Sequence, residues 1–535
     1  MANDGEGYQA FRVPPATGGD TLAPVNDMPP SGVSPDAGPR RHVVVIGGGI
    51  GGIAAALRLR AQGFAVTLIE RQAALGGRAQ VFERDGFRHD AGPTIITAPF
   101  LIDELFALFG RRREDYVTFV PLSPWYRFRF DDGETFDYGG TVEDTLAEIR
   151  RIAPGDADGY LRLLAHSRDL YDIAFTELSV QPFERVGTLL AQTPRLARLR
   201  ADRSVWQLVA RHLKSERLRQ AFSIQPLLIG GNPFTTTSIY ALIHYLERKS
   251  GVFFTQGGTG ALIAALRRLL EETGVAVRTS TTVDKVEVVN SVARGVRLAN
   301  GELVGADIVV SNADPTHLYG RMIEPSALRL PTRLKLRSKL SMGLFIVYFG
   351  TSRQYPDVAH NTIWLGSRYR ELLADVFDRK VLANDFSLYL HRPTATDPSF
   401  APPGCDSFYA LCPVPNNASG IDWSKAGPAL RDRIVLALER TLLPDLRRTI
   451  RSEFTMTPDD FQDRYLSHLG NGFSVAPHFL QSAWFRFHNA SESVRNLYLT
   501  GAGTHPGAGV PGVLCSARIV ADEVAKAHAA QPIGR

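Results

Sequence analysis

Residues His42 to Glu70 read HVVVIGGGIGGIAAALRLRAQGFAVTLIE, and the order of residue types in this stretch decides the fold. The run His42–Ile46 is apolar and β-branched, as expected of a strand buried on both faces of a parallel sheet, and it stops at glycines. A helix is expected from about Ile50 to Gln62, where alanines allow close packing, Leu57 and Leu59 add apolar surface, and Gly63 supplies a stop. A second strand, Ala65 to Ile69, ends at the acid Glu70. Gly47, Gly49 and Gly52 have the G-x-G-x-x-G spacing. The first permits a tight turn, the second lets a pyrophosphate approach the backbone, and the third lets the helix pack closely. A pyrophosphate there rests on the helix N-terminus, where free N–H groups and the helix dipole favour an anion. Glu70 is placed to accept hydrogen bonds from a ribose hydroxyl and offers no positive charge to a 2′-phosphate, which leaves NAD or FAD.

Downstream, Leu75 to Ile95 read LGGRAQVFERDGFRHDAGPTI. Gly76 and Gly77 stand beside Arg78, and after a short strand-like piece comes the turn Asp90-Ala91-Gly92-Pro93-Thr94. A NAD dehydrogenase needs no such second clasp. The pattern resembles the glutathione-reductase-type flavoproteins of the amine oxidase and carotenoid desaturase superfamily, in which these loops lie along the FAD pyrophosphate and flavin. The likeness implies FAD, held here by Gly77, Arg78, Gly92, Pro93 and Thr94 as well as by the first clasp. The glycines alone imply only a nucleotide.

At 535 residues, 44% hydrophobic and 21% charged, the chain has room for two or three domains and the balance of a globular protein. Its net charge of +5 suits anionic surroundings, for which phospholipid serves as well as nucleic acid. Cys405, Cys412 and Cys515 have neither zinc-site spacing nor an even count, and read as ordinary thiols of a reducing compartment. Residues 1–40, rich in Pro, Gly and Asp, are expected to be disordered. No secretory signal pattern is found, and no apolar run reaches about 18 residues, so no transmembrane helix is expected.

Along the rest of the chain, Pro99 to Phe109 has helical spacing and Pro124 to Phe130 alternates like a strand. Residues 141–249 read as mostly helical, an insertion between nucleotide-binding segments. A rival nucleotide site is Gly257, Gly258 and Gly260 with Arg278, but its glycine spacing is wrong for the fingerprint and its preceding strand is poor. In the flavoprotein superfamily the same arrangement returns the chain to the FAD domain, with the backbone at Val283 meeting adenine. Ala306 to Pro315 resembles the strand and turn closing that segment. Strand-like runs such as Gly343–Gly350 and Phe386–Pro393 alternate with helices in a mixed-sheet substrate domain. Finally, Asn496 to Val513 read NLYLTGAGTHPGAGVPGV: a strand runs into Gly501 and Gly503, and a helix opening near Val510 can face the flavin's pyrimidine end and stabilise reduced flavin anion.

Several segments, among them Gln220–Ile263, Gln481–Asn489 and Asn496–Val513, look like the bacterial and fungal phytoene desaturases, and the likeness runs from about His42 to Ala527. It implies an α/β architecture: a discontinuous Rossmann-like FAD-binding domain of glutathione-reductase type in parts 41–98, 251–316 and 481–527. A mostly helical membrane-associating region, 99–250, and a mixed-sheet substrate domain, 317–480, are inserted, with a flexible tail at 528–535. It implies stepwise desaturation of phytoene and partially desaturated carotenes, with quinone or dioxygen as electron acceptor. Close alternatives keep the fold: desaturases of hydroxylated, methoxylated or diapo substrates, a ketolase, or a carotene isomerase. A different class is the prenyl-lipid-binding Rab escort and GDP-dissociation-inhibitor group, against which the full FAD clasp argues.

Removing two hydrogens beside a polyene needs a hydride acceptor, which oxidised flavin supplies, whereas the proton leaves an already acidic allylic cation. No Ser-His-Asp set, paired carboxylates or metal cluster is needed or found. His505 is the ionisable residue nearest the expected flavin, with capping of its loop preferred over proton transfer. His89 and Asp90 are read with the same reserve. A forty-carbon hydrocarbon resides in the bilayer, since exposing each methylene costs about 0.8 kcal/mol. The enzyme is therefore expected on the membrane surface, peripheral at the cytoplasmic face, without a nucleic-acid partner. The arginine-rich stretch Pro194–Gln220 with Trp206, Phe222 and Leu227 is the expected lipid contact.

Overall fold

The computed structural model describes residues 41–184 and 186–528; the arm expected to be disordered and the tail beyond His528 lie outside the described residues. Five parallel strands form the first sheet, in the order Leu497–Leu499, Ile308–Ser311, His42–Ile46, Ala65–Ile69, Ala276–Arg278. Val44 lies opposite Val309 on one side and Thr67 on the other. Its centre is apolar because helices cover it: Ile50–Ala61 and Val510–His528 pack on each other, and Gly258–Glu272 joins them. Ala54, Ala55 and Ala56 are fully buried at that contact, where larger side chains would hold the helix off the strands. The strands come from three stretches far apart in sequence, so the nucleotide-binding unit is discontinuous. A three-stranded antiparallel layer, Val283–Val289, Val292–Leu298 and Leu303–Gly305, stands beside them.

The second large sheet has seven strands, in the order Ile450–Met456, Gly343–Thr351, Asp406–Val414, Leu388–His391, Asn361–Trp364, Tyr126–Arg129, Thr135–Tyr138. All pairings are antiparallel except that of Asn361–Trp364 with Tyr126–Arg129. The strand expected around Pro124–Phe130 thus extends the sheet built by residues 343–456, and the helical insertion and the mixed sheet share one core. Gly343–Thr351 is buried at every residue, as its central place between two partners requires.

The apolar anchors expected to make the lipid contact of Pro194–Gln220, Trp206, Phe222 and Leu227, are buried in the structure. This stretch is the end of one helix, Val186–Arg198, followed by two short ones, Val205–His212 and Glu216–Phe222. Trp206 is buried against Phe234 and Tyr369 with the Arg370 guanidinium over its ring, and Phe222 and Leu227 are buried in the same core. The alternation of leucines with arginines that suggested a membrane face is a core face with a solvated opposite side. Exposed large apolar residues occur elsewhere: Val186 and Leu190 on the first helix, Phe479 and Leu480, and Leu330 and Leu334. Among the described residues no helix is long and apolar enough to cross a membrane.

Candidate active site

The glycine clasp is shaped by close approach. A methyl on Gly52 would lie 1.9 Å from the Gly47 carbonyl oxygen, and one on Gly92 would lie 2.0 Å from that of Arg78. Both positions bring backbone against backbone, which only glycine permits. The two clasps are tied together: Gly76 N–H donates to the Gly48 carbonyl at 2.8 Å, and Gly49 bridges Gly76. Glu70 is held by two backbone donors, Gly48 N–H to Oε2 and Gln72 N–H to Oε1, each at 2.7 Å. Thr281 N–H donates to the Glu70 carbonyl, which brings Thr281–Val283 beside that acid.

A cavity of about 630 Å³ runs from this clasp into the core between the two large sheets. Its wall includes Gly47, Gly49, Glu70, Gly77 and Arg78 at one end, with Val283 beside Glu70. Gly92, Pro93, Thr94, Gly501, Gly503, His505 and Val510 line it further in. Gly52 sits behind the wall, against Gly47. Asn312, which carries no motif, is met by three glycines from two segments: methyls on Gly49, Gly51 and Gly501 would meet its side chain at 2.8, 2.5 and 2.7 Å. The signal for it is positional, an amide directly after the buried strand Ile308–Ser311.

The walls fit a dinucleotide. The space is bordered by backbone that glycines leave bare, and the 19-residue helix Val510–His528 begins at it, a favourable end for negative charge. Arg78 Nε and Asp314 Oδ2 are buried at this end without a hydrogen-bond partner, polar atoms that a bound ligand would satisfy. The rival helix start at Gly257–Gly260 is different. Thr259 N–H and its hydroxyl both donate to Asp90 Oδ1 at 2.9 Å, and Gly257 N–H donates to Asp397 Oδ2 at 2.7 Å. Two carboxylates already occupy the place a phosphate would need, and Arg278 is engaged by Glu302.

Beyond Thr94 the cavity turns apolar, with Leu227, Ile243, Leu246, Ile346 and Leu411 on its wall. Thr94 Oγ1 lies 3.0 Å from the Tyr389 hydroxyl, which donates to Asn361 Oδ1 at 2.6 Å. His505 Nε2 lies 2.9 Å from the Leu178 carbonyl, an acceptor, so this nitrogen carries the proton and Nδ1 is bare. Burial lowers the His505 pKa to about 4, and its ring packs on Phe183. Such a histidine stays neutral and anchors its loop to the Leu178 turn. His89 and Asp90 lie behind the wall: His89 Nδ1 is 3.0 Å from the Ser407 hydroxyl. Glu247 lies within Gln220–Ile263, a segment that carries the family likeness, and no motif marks it. It lines the apolar part, is fully buried, and accepts a 2.9 Å hydrogen bond from the Tyr126 hydroxyl. Burial pushes its carboxyl up to about 7. In sequence the ERK end of its helix looks solvated, and only the packing shows otherwise.

Residues 50–525 match the family described as flavin containing amine oxidoreductase. The lycopene-forming phytoene desaturase of Pseudescherichia vulneris is 45% identical over 90% of this chain and 98% of its own length. The neurosporene-forming phytoene desaturase of Cereibacter sphaeroides is 44% identical over 90% of this chain and 94% of its own. Among solved structures, cyclohexylamine oxidase from Brevibacterium oxydans shares the fold with a TM-score of 0.60 at 16% identity, covering 91% of this chain and 99% of that one. A clasp built for a dinucleotide in a flavin family makes the cofactor FAD. The chain belongs to the flavin containing amine oxidoreductase family, and within it to the phytoene desaturases.

Proposed function

We propose that this protein desaturates phytoene stepwise, through partially desaturated carotenes towards neurosporene or lycopene, with FAD as hydride acceptor. The observation that carries this reading is that relatives matching nine-tenths of the chain at 44–45% identity are phytoene desaturases of both product types. The cavity agrees with it, since an apolar interior leading from a dinucleotide clasp suits a long hydrocarbon.

Gly47, Gly49 and Gly52 would receive the FAD pyrophosphate, Glu70 the adenosine ribose and Val283 the adenine. Gly77, Arg78, Gly92, Pro93 and Thr94 would lie along the second side, and Gly501, Gly503 and Val510 would border the flavin. Bound in its oxidised form, FAD supplies an acceptor for hydride from an unactivated carbon. The protein's part is to exclude water and align the polyene. Membrane quinone or dioxygen would take the electrons onward. Lipid contact would fall on the exposed residues Val186, Leu190, Phe479 and Leu480. The helix Val186–Arg198 packs against Ala483–Phe485, and Leu196 and Ala483 also line the cavity, so this face borders a route from bilayer to interior.

The test is anaerobic incubation of FAD-loaded protein with phytoene in liposomes, without NADP, following flavin absorbance and extracting pigment. Bleaching with ζ-carotene, neurosporene or lycopene is expected. Flavin that stays oxidised in the presence of accessible phytoene would overturn the reading and direct attention to hydroxylated carotenes or to isomerisation.

A further inference from the structure

Desaturation removes a hydride and a proton from adjacent carbons, and only the hydride has an acceptor so far. The apolar part of the cavity presents few groups able to take a proton. Tyr126, Tyr240, Tyr389 and Tyr409 are buried there with pKa values raised by that burial, so they stay protonated. His505 has a bare Nδ1, yet burial makes it a weak base. Glu70, Arg78 and Asp314 belong to the nucleotide end.

Resting on the function proposed above, we infer that Glu247 is the catalytic proton acceptor. Its Oε1 is fixed by the Tyr126 hydroxyl, whereas Oε2 is buried with no hydrogen-bond partner, an arrangement that costs stability and needs a reason. Glu247 lies in the last turn of the helix Leu242–Ser250, which lines the cavity with Leu242, Ile243 and Leu246. Tyr126 and Tyr389 line the same cavity, and the Tyr389 hydroxyl contacts Thr94 on the loop expected to border the flavin. The carboxylate thus lines the same cavity that Thr94 and the expected flavin border also line.

In the reaction, the C–H bond of one saturated carbon would break with its electron pair leaving as hydride, for which bound oxidised FAD would supply the acceptor. The neighbouring C–H bond breaks, its pair forms the new double bond, and the proton goes to Glu247 Oε2. The charged and titratable groups facing Glu247 are Tyr126 and Tyr138 from the second sheet, Tyr160 from the helix Ala157–Leu170, and Arg248 on its own helix. Arg248 turns away, donating to the Tyr160 hydroxyl and to the carbonyls of Gly139, Gly140 and Thr141. Burial in this ring holds the carboxyl where half of it is ionised near neutral pH, the working range of a general base.

The test compares FAD-loaded wild type, Glu247→Gln and Tyr126→Phe with phytoene in liposomes across pH, together with the infrared carboxyl band of each protein without substrate. In wild type, kcat is expected to rise with pH through about 7, in step with loss of a buried carboxyl band. Glu247→Gln is expected to lose that band and at least about a hundredfold in kcat, with KM and FAD affinity retained. Tyr126→Phe removes a hydrogen bond that lowers the Glu247 pKa, so band and pH limb are expected to move together to higher pH. A Glu247→Gln protein that binds FAD and keeps wild-type kcat with an unchanged pH limb would overturn the assignment. Wild type inactive on phytoene would instead sink the function, while a carboxyl band that fails to titrate near neutrality, or persists in Glu247→Gln, counts against the base whatever the substrate.

Discussion

Asp90 Oδ1 accepts two hydrogen bonds from Thr259, one from its backbone N–H and one from its hydroxyl, each at 2.9 Å. This contact fastens the loop before Gly92-Pro93-Thr94 to the start of the helix Gly258–Glu272, joining the first two parts of a discontinuous domain. It also explains why a partial glycine fingerprint at Gly257–Gly260 does not make a second nucleotide site.

Replacing Asp90 by Ala leaves Thr259 with two buried donors unsatisfied. A loss of about 2–4 kcal/mol is expected, from two hydrogen bonds to a charged acceptor less some relaxation. Asp90→Asn keeps an acceptor and is expected to lose less. Urea unfolding of the three proteins checks the order, and neither variant is expected to gain NADPH binding, because Asp397 still occupies Gly257 N–H.

Gly52→Ala puts a methyl 1.9 Å from the Gly47 carbonyl oxygen, and backbone cannot swing aside as a side chain can. Overpacking of this kind costs about 1–3 kcal/mol. Because strain falls on the turn proposed to receive the pyrophosphate, FAD affinity is expected to drop about 5- to 150-fold. Gly155→Ala is the control, since a methyl there meets nothing within 4 Å. Fluorescence titration of apoprotein with FAD measures both, and equal affinities would remove Gly52 from the clasp.

The parts of this molecule that were legible in sequence are those where local chemistry and fold agree. His42–Ile46, the glycines, the helix from Ile50 and the strand ending before Glu70 each follow from backbone rules acting within a few residues. What was not legible depends on partners distant in the chain. Trp206 among arginines could face lipid or core, and only Phe234 and Tyr369, brought in by folding, decide for core. Glu247 reads as a solvated helix end until strand Tyr126–Arg129 closes over it. Asn312 carries no motif, yet three glycines converge on it.

Stability against pH isolates Glu247 from catalysis. Its carboxyl moves from an ordinary 4.5 to about 7 on folding, so the folded protein holds this proton more tightly than the unfolded chain. The contribution is therefore fully present below about pH 4.5 and lost as pH rises through about 7, a change of about 3 kcal/mol. Glu247→Gln is expected to be more stable than wild type at pH 8, by up to that amount, and similar to it near pH 4.5. Buried His89, His244 and His505, lowered to about 4, act in the opposite sense, with stability present above about 6.5 and lost as pH falls towards 4. They are common to both proteins, so the difference between the two urea midpoints reports Glu247 alone.

The exposed apolar face allows a last prediction. Leu190 and Leu480 are 63% and 67% exposed, and the segments that carry them meet where Leu196 packs against Ala483 and Trp484. Lys339 is tied to the same loop, its backbone N–H donating to Gln481 Oε1 and its carbonyl accepting from Gln481 Nε2. Exposed leucines on a chain of net charge +5 suit the boundary of an anionic bilayer. Burying two leucine side chains is worth about 3–6 kcal/mol at full burial. A Leu190→Glu, Leu480→Glu protein is expected to lose at least about tenfold in affinity for anionic liposomes, with FAD binding and thermal stability kept, since both positions are solvated in the folded state. Trp206→Phe, a change inside the core, is expected to leave liposome binding unchanged. Sedimentation with liposomes decides between the two faces: loss of binding in the tryptophan variant alone would return the lipid contact to residues 194–220.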